Sequence, residues 1–425
     1  MKTFSGLVAA VLLCVTFAGA SARAAGGSDL PGGGDSAVGS DSADGSDSAG
    51  GGATDPAATP LAVAPCAQAG AATAPAQAGA AAWPDFDWRT VPVWLRVRKS
   101  TAYTPDELKQ IAGFPLVVFE KANGHRTSGD VESGTLAAGR AVKQINPRTK
   151  VIFYFNAVIR YGDYKANAEF DRRSDAWALR KGGAVFTFKD RYRLFDLTRP
   201  DVRAWWIATA RGMAAHDQID GLFIDAICKT TTHGQAYSQG YRRMAADLRA
   251  GWPAGKLLLG NAVRAGEDGC NLDHLDYLDG SYVERWGVPV GGESYEDYVA
   301  RGIEAMRKTV ERGKLLLFSA GPDAFGPRTS TPPAPQAMRE WMRGHIDYPL
   351  GVFLIVAGQR SYFEWTDGPD ALQGALEHHD YPEYHKPLGR PLGPPARDGF
   401  VYTRRFEHLD VRVDIRNKTA RLQWR

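Results

Sequence analysis

Asp225 ends the core of an apolar run, GLFIDAI (221–227), and Glu284 does the same in another, GSYVERW (280–286). If both runs are parallel strands of one barrel, both carboxyl groups point into a single pit at its carboxyl-terminal mouth. Two carboxyl groups facing each other across a pit are what hydrolysis of a glycosidic bond needs. One must be ionised, to attack the anomeric carbon, and the other protonated, to give its proton to the departing oxygen. Hydrogen-bond donors keep the first ionised, and apolar contact keeps the second neutral. Residues two apart share a strand face, so Asp225 goes with Phe223 and Glu284 with Tyr282, whereas Asp220 and Asp279 have the other parity and read as capping or loop residues. A lone carboxylate at a strand end has an equally good reading as the ion-pair partner of a loop arginine. The occurrence of two is what favours catalysis.

Other strand ends offer polar groups, among them Arg98, Lys99, Lys121 and Ser319, with Asp323 just beyond one of them. Glu120, Asn156 and Asn261 are the candidates for binding sugar hydroxyls. Tyr161, Trp177, Trp286 and Trp365 are candidates for lying against sugar faces, though each could equally be packing. Trp286 shares the parity of Glu284 and is expected to form the apolar wall that keeps it protonated. His378, His379 and His385 cluster with Asp380 and Glu383, but their spacing fits no common zinc pattern, so no metal is expected. No cofactor is implied. Ser319 lacks the flanking pattern of a nucleophile elbow.

The elements that must position these residues alternate. The apolar runs are VWLRV (93–97), LVVFE (116–120), VIFYFNA (151–157), GLFIDAI, LLLGNAV (257–263), GSYVERW, LLLFSAG (315–321) and VFLIVAG (352–358). Continuous apolar runs suit strands buried on both faces. Between them lie helical patterns. Thr104 to Glu107 is a capping box with Pro105 at the first helical position. Further helices are expected over 132–146, from Thr198 to about His216, and over 235–250, 294–312 and 335–347. Strand and helix in turn, eight times, predict an α/β fold, a (β/α)₈ TIM barrel. A doubly wound open sheet is the runner-up, and the first strand lacks the glycine-rich phosphate loop such a sheet often carries. Residues 158–198 form a long aromatic-rich connection expected to roof the mouth. The tail, VYTRRF (401–406), DVRVDIR (410–416) and TARLQW (419–424), reads as a short antiparallel β extension.

The barrel occupies only part of the 425 residues. Residues 1–24 read as a secretory signal peptide, with Lys2, an apolar stretch from Leu7 to Ala18 and the small-residue end Ala22-Arg23-Ala24. The apolar stretch is too short to span a bilayer, and Cys14 lacks the context of a lipidation site. Residues 25–82 are Gly, Ala, Ser, Asp and Pro, cannot bury enough apolar surface to offset their ordering entropy, and read as a disordered linker. The barrel is assigned to 83–395 and the β extension to 396–425. Leader and linker hold two basic and six acidic residues, so the whole-chain charge of +3 becomes +7 for the folded part (3 − 2 + 6). That basicity is spread out, without the blocks expected of a nucleic-acid surface. No later segment suits membrane insertion. The expected partner is a carbohydrate, and the expected location outside the cytoplasm, secreted or periplasmic. Cys228 and Cys270 follow consecutive strands and are either bridged or a pair of buried thiols.

GLFIDAI, the helix start FDLTRPDVRAWW (195–206), the strands ending GNAV and SYVERW, and VYTRRF resemble bacterial proteins of hypothetical glycosyl hydrolase family fifteen. The chain is similar more distantly to α-galactosidase and endo-polygalactosaminidase barrels. The likeness covers about 93–425. It implies a glycosidase acting by a retaining mechanism, with Asp225 as nucleophile on the fourth strand and Glu284 as acid/base on the sixth. Glu284 departs from the Asp usual at that position in the α-galactosidase barrels. A barrel that binds polysaccharide without cleaving it is the alternative reading. A third is an aldolase or isomerase using Lys99 or Lys121 as a Schiff-base lysine.

Overall fold

The computed structural model describes residues 83–425 except 265–269, 285, 290–291, 323–334, 372–375 and 377–379. The expected leader (1–24), the linker (25–82), Asp323, Arg285, His378 and His379 lie outside the described residues.

Eight parallel strands lie side by side in chain order: β1 (Leu95–Val97), β2 (Leu116–Phe119), β3 (Lys150–Asn156), β4 (Gly221–Asp225), β5 (Leu257–Asn261), β6 (Gly280–Val283), β7 (Leu315–Ala320) and β8 (Ser361–Trp365). The sheet curls until its two edges meet, where Val93 bridges Phe363 and the Trp94 amide donates to the Phe363 carbonyl at 3.2 Å. Further along that seam a side chain takes over the pairing, as the Arg96 amide donates to Glu364 Oε1 at 2.9 Å. This is a nearly closed α/β barrel.

Among the described residues the α-helices of eight residues or more are α1 (Pro105–Ala112), α2 (Val131–Ile145), α3 (Pro200–Ala214), α4 (Gln235–Ala250), α5 (Tyr295–Glu311), α6 (Pro335–His345) and α7 (Asp347–Val356). The Thr104 capping box forms in full, with the hydroxyl accepting from the Glu107 amide and the Glu107 carboxylate from the Thr104 amide. Between β5 and β6 the described residues hold only a 3₁₀ turn, Leu272–Asp276.

One expected strand is a helix. VFLIVAG belongs to α7, and the eighth strand is the next segment, SYFEW. The run is apolar all round because α7 is covered on both sides. Phe353 meets Phe318 and Phe363 of the barrel at 5.8 and 5.3 Å, and Gly351 backs onto Val413 and Ala420. Those two residues belong to an antiparallel sheet of β9 (Ala396–Asp398), β10 (Val401–Arg405), β11 (Leu409–Asp414) and β12 (Thr419–Trp424). A helix between two apolar layers needs no polar face.

The 158–198 connection carries its own small core. Two short helices and two antiparallel pairs of two-residue strands fold in it, and Phe170, Trp177 and Phe195 bury themselves against Trp205 of α3.

Candidate active site

Strand register builds the barrel interior in layers. Tyr154 of β3 pairs with Phe223 of β4, and two residues on Asn156 pairs with Asp225. Tyr282 of β6 pairs with Asn261 of β5, and Ser319 of β7 with Glu364 of β8. The rings of Trp94, Tyr154, Phe223 and Tyr282 meet edge-on or stacked at 5.5–5.8 Å and form a floor. Above that floor, two residues further along the strands, lie Arg96, Asn156, Asp225 and Glu284. This order follows from the two-residue period of strands whose inward faces share one cavity.

Asp225 is held by four donors. The Tyr154 hydroxyl donates to Oδ2 at 2.5 Å and Asn156 Nδ2 at 3.3 Å, while Asn261 Nδ2 donates to Oδ1 at 3.2 Å and the Ala226 amide at 2.7 Å. The last bond depends on a sharp turn: Ala226 has φ 63°, in the left-handed region that costs a residue with a Cβ about 1 kcal/mol. The first amide past the strand thereby folds back onto the carboxylate.

Glu284 lies just past β6. Its Oε1 accepts from Asn261 Nδ2 at 2.9 Å and from the Arg264 guanidinium, and its Oε2 from the Tyr282 hydroxyl at 3.2 Å. Asn261 therefore bridges the two carboxylates. The two oxygens it serves can be no further apart than the sum of its two bonds, 6.1 Å (3.2 + 2.9).

Burial pushes Glu284 toward its neutral form, but Arg264, Arg96 and the hydrogen bonds from Asn261 and Tyr282 outweigh it. They hold the carboxyl at about 2, below its ordinary 4.5. A carboxyl depressed on folding contributes stability that is full above the unfolded value and lost as the pH falls through the folded one. The melting temperature of the wild type is therefore expected to fall more steeply between pH 4.5 and about 2 than that of Glu284→Gln. Parallel melting curves would remove the depressed carboxyl from the account.

Two more carboxylates complete the mouth layer. Glu120, just past β2, is buried, with Arg96 Nη1 at 3.3 Å and Lys121 Nζ at 3.5 Å. Burial raises the Glu120 carboxyl, but Lys121, Arg96 and Arg98 together hold it below its ordinary value. Glu364 is fully buried, accepts from Ser319 Oγ at 2.7 Å, and is raised by that burial despite Arg96 nearby.

The sequence-derived candidates separate into two groups. Asp225, Glu284, Glu120, Asn156 and Asn261 belong to this cluster, and Tyr161 borders it through Lys121, whose ammonium sits 4.9 Å from its ring. Asn156 is engaged in holding Asp225 and in capping the loop that follows, its Oδ1 accepting from the Val158 and Ile159 amides. The three tryptophans lie elsewhere. Trp177 is buried, donates to Asp201 at 2.8 Å, and lies against Trp205 with Arg173 over its ring. Trp286 packs on Phe318 and Tyr348 outside the barrel, because strand alternation stops at Val283. Trp365 has the outward parity of β8 and donates to the Met342 carbonyl at 3.0 Å. None of these indoles is placed to take a sugar face, and Trp286 is not the wall beside Glu284.

Tyr154, Arg96 and Arg264 escaped sequence reasoning. Tyr154 stands two residues before Asn156, and Arg96 two after Trp94, so parity was the available signal for both. Nothing in the sequence marks Arg264. Lys99 is held by Glu107 of the capping box at 2.8 Å, and so belongs to the α1 contact. Among the described residues no three His, Cys, Asp or Glu side chains group to hold a metal ion, and no helix is long and apolar enough to cross a membrane. His385 pairs with Asp380 at 2.7 Å.

Cys228 and Cys270 are bridged, with Cα atoms 4.7 Å apart, tying the segment after Asp225 to the connection between β5 and β6. A loop of this size, 42 residues apart in sequence, restricts the unfolded chain enough to stabilise the fold by about 2–4 kcal/mol. Guanidinium unfolding with and without reductant is expected to differ by that amount; coincident curves would show that the bridge contributes nothing.

No curated protein sequence matches the chain. Several solved α-galactosidases are similar to it in fold. A GH36 enzyme from Geobacillus stearothermophilus shares 11% identity over 77% of this chain and 47% of its own, with a TM-score of 0.43. An α-galactosidase from Lactobacillus brevis shares 13% over 76% and 46%, with a TM-score of 0.43. One from Thermus thermophilus shares 17% over 79% and 68%, with a TM-score of 0.41. The chain thus spans about half the length of the first two. The sequence pattern of hypothetical glycosyl hydrolase family 15 matches residues 143–410, a stretch that includes both Asp225 and Glu284. More than half of the chain lies within that match, and the protein belongs to hypothetical glycosyl hydrolase family 15.

Proposed function

We propose that the protein is a secreted glycoside hydrolase that cleaves O-glycosidic bonds of an oligo- or polysaccharide by retaining double displacement. Asp225 attacks the anomeric carbon as the glycosidic C–O bond breaks, and Glu284 gives its proton to the departing oxygen. Glu284 then takes a proton from water, which attacks the same carbon and releases Asp225. The observation that carries this reading is the single amide of Asn261 serving both carboxylates. Separations near 5–5.5 Å suit retention and wider ones, about 6.5–9.5 Å, leave room for the water of inversion; the spacing here favours the first. The role order is the one the family resemblance implies, with Asp225 on the fourth strand as nucleophile and Glu284 after the sixth as acid/base. The disulfide, together with the leader read in residues 1–24, supports an oxidising location outside the cytoplasm.

The test is release of reducing ends or nitrophenol from a panel of glycosides and cell-envelope polysaccharides, wild type against Asp225→Asn. Turnover confined to the wild type supports the proposal, and equal turnover by both refutes it. One observation favours the alternative, a barrel that binds without cleaving: the Arg264 pairing keeps Glu284 ionised. Saccharide binding without turnover of any bound member would select that reading.

A further inference from the structure

Arg264 stands three residues past β5 with its guanidinium on Glu284 Oε1, and in that pairing Glu284 cannot serve as an acid. The guanidinium has to leave before the carboxylate takes a proton from solvent. A sugar hydroxyl is neutral and competes poorly with a carboxylate for an arginine. An anionic substituent competes well, because the planar fork binds two of its oxygens side by side.

On segments that follow the third and fourth strands and on Lys121 after the second, positive charge is set beside aromatic rings. Lys121 Nζ lies 4.9 Å from the ring of Tyr161 and 5.7 Å from that of Tyr154, whose hydroxyl holds Asp225. Lys229, four residues past Asp225, lies 4.4 Å from the ring of Phe188. Lys181 lies 4.2 Å from that of Phe186. Phe186 and Phe188 are half-buried on the 158–198 connection, where an apolar ring beside an ammonium offers a sugar both a flat face and a counter-charge. The folded part carries a net charge of +7 (3 − 2 + 6), spread along the chain, a general field that favours the approach of anions over cations.

We propose that the saccharide taken by this site is anionic, carrying a carboxylate or sulfate beside the scissile bond, and that Arg264 passes from Glu284 to that group as the sugar enters. The proposal rests on the hydrolase reading of the same site and names its substrate class. No bond between heavy atoms changes in the handover: Arg264 exchanges one anion for another, and Glu284 gains an O–H bond with a proton taken from solvent.

The test is calorimetric titration of the full-length Asp225→Asn protein with matched glycans. The pairs are oligogalacturonides and their carboxyl-reduced form, oligoglucuronides and theirs, and a sulfated galactan and its desulfated form. At least one anionic member is expected to bind tenfold or more tightly than its neutral counterpart, and the pair concerned distinguishes carboxylate from sulfate. Adding Arg264→Gln should remove that preference, and Arg264→Lys, which keeps the charge without the fork, should keep part of it. Neutral members bound as tightly, a preference that survives both Arg264 variants, or no anionic member bound would each overturn the proposal. Reducing-end release by the wild type separates the two ideas. Cleavage of a neutral glycan that needs Asp225 would leave the hydrolase standing and the anionic substrate refuted. Anion-selective binding with nothing cleaved would do the reverse.

Discussion

Asp225→Asn is expected to lower turnover by roughly 10⁴-fold or more, the scale seen when a nucleophile that acts as part of a catalytic unit is removed. An amide of the same shape neither attacks the anomeric carbon nor offsets the positive charge that develops there. The cost to the fold is small by comparison. The amide oxygen still accepts from Ala226 and Asn261, and the Tyr154 hydroxyl can turn to accept rather than donate. The one new conflict sets two amide groups, those of residues 225 and 156, donor to donor. A loss of about 1–2 kcal/mol follows, a fall in melting temperature of less than about 5 °C. Turnover and melting measured on the same preparation decide the matter. A protein that unfolds, yet keeps its activity per folded molecule, would make Asp225 a structural residue.

Glu284→Gln is expected to produce a loss that depends on the leaving group. Proton donation contributes about 10²–10⁴-fold when the departing oxygen is a sugar alkoxide. A nitrophenolate leaves without that help, so formation of the glycosyl–enzyme from an aryl glycoside should be nearly unaffected. Hydrolysis of that intermediate still needs a base, and remains slow. The expected signature is kcat/KM collapsing for alkyl-linked saccharides and surviving for aryl glycosides, while kcat falls for both. Equal loss of kcat/KM in the two classes would deny Glu284 the acid role and leave it a binding residue paired with Arg264.

Much of this arrangement was legible because strand parity is rigid. Asp225, Asn156 and Asn261 could be brought together from sequence since each ends a strand whose inward face is set two residues earlier, and the register brings them into one layer. The same rule failed at Trp286, which lies beyond Val283, where the chain leaves the sheet and alternation no longer binds it. Trp365 has outward parity in the strand SYFEW, which the preceding apolar run conceals in the sequence. That strand was misplaced because VFLIVAG is apolar at every position, and a short apolar run does not distinguish a buried strand from a helix covered on two sides. Only the docking of the carboxyl-terminal sheet on α7 explains the run. Arg264 was invisible for a different reason. A long side chain on a connection reaches its partner through tertiary geometry, and neither spacing nor period records where it points. Asn156 and Asn261, expected to bind sugar hydroxyls, lie in this layer, where both amides hold carboxylates.

Retention requires a covalent glycosyl–enzyme ester on Asp225. Incubating Glu284→Gln with an aryl glycoside it accepts should let the glycosyl–enzyme accumulate, because the variant forms the ester but lacks the base to hydrolyse it. Proteolysis and mass spectrometry of the trapped protein would then locate the added sugar. One glycosyl unit is expected on the peptide containing Asp225. A sugar attached to any other residue, or none at all while the wild type hydrolyses the same glycoside, would contradict Asp225 as the nucleophile.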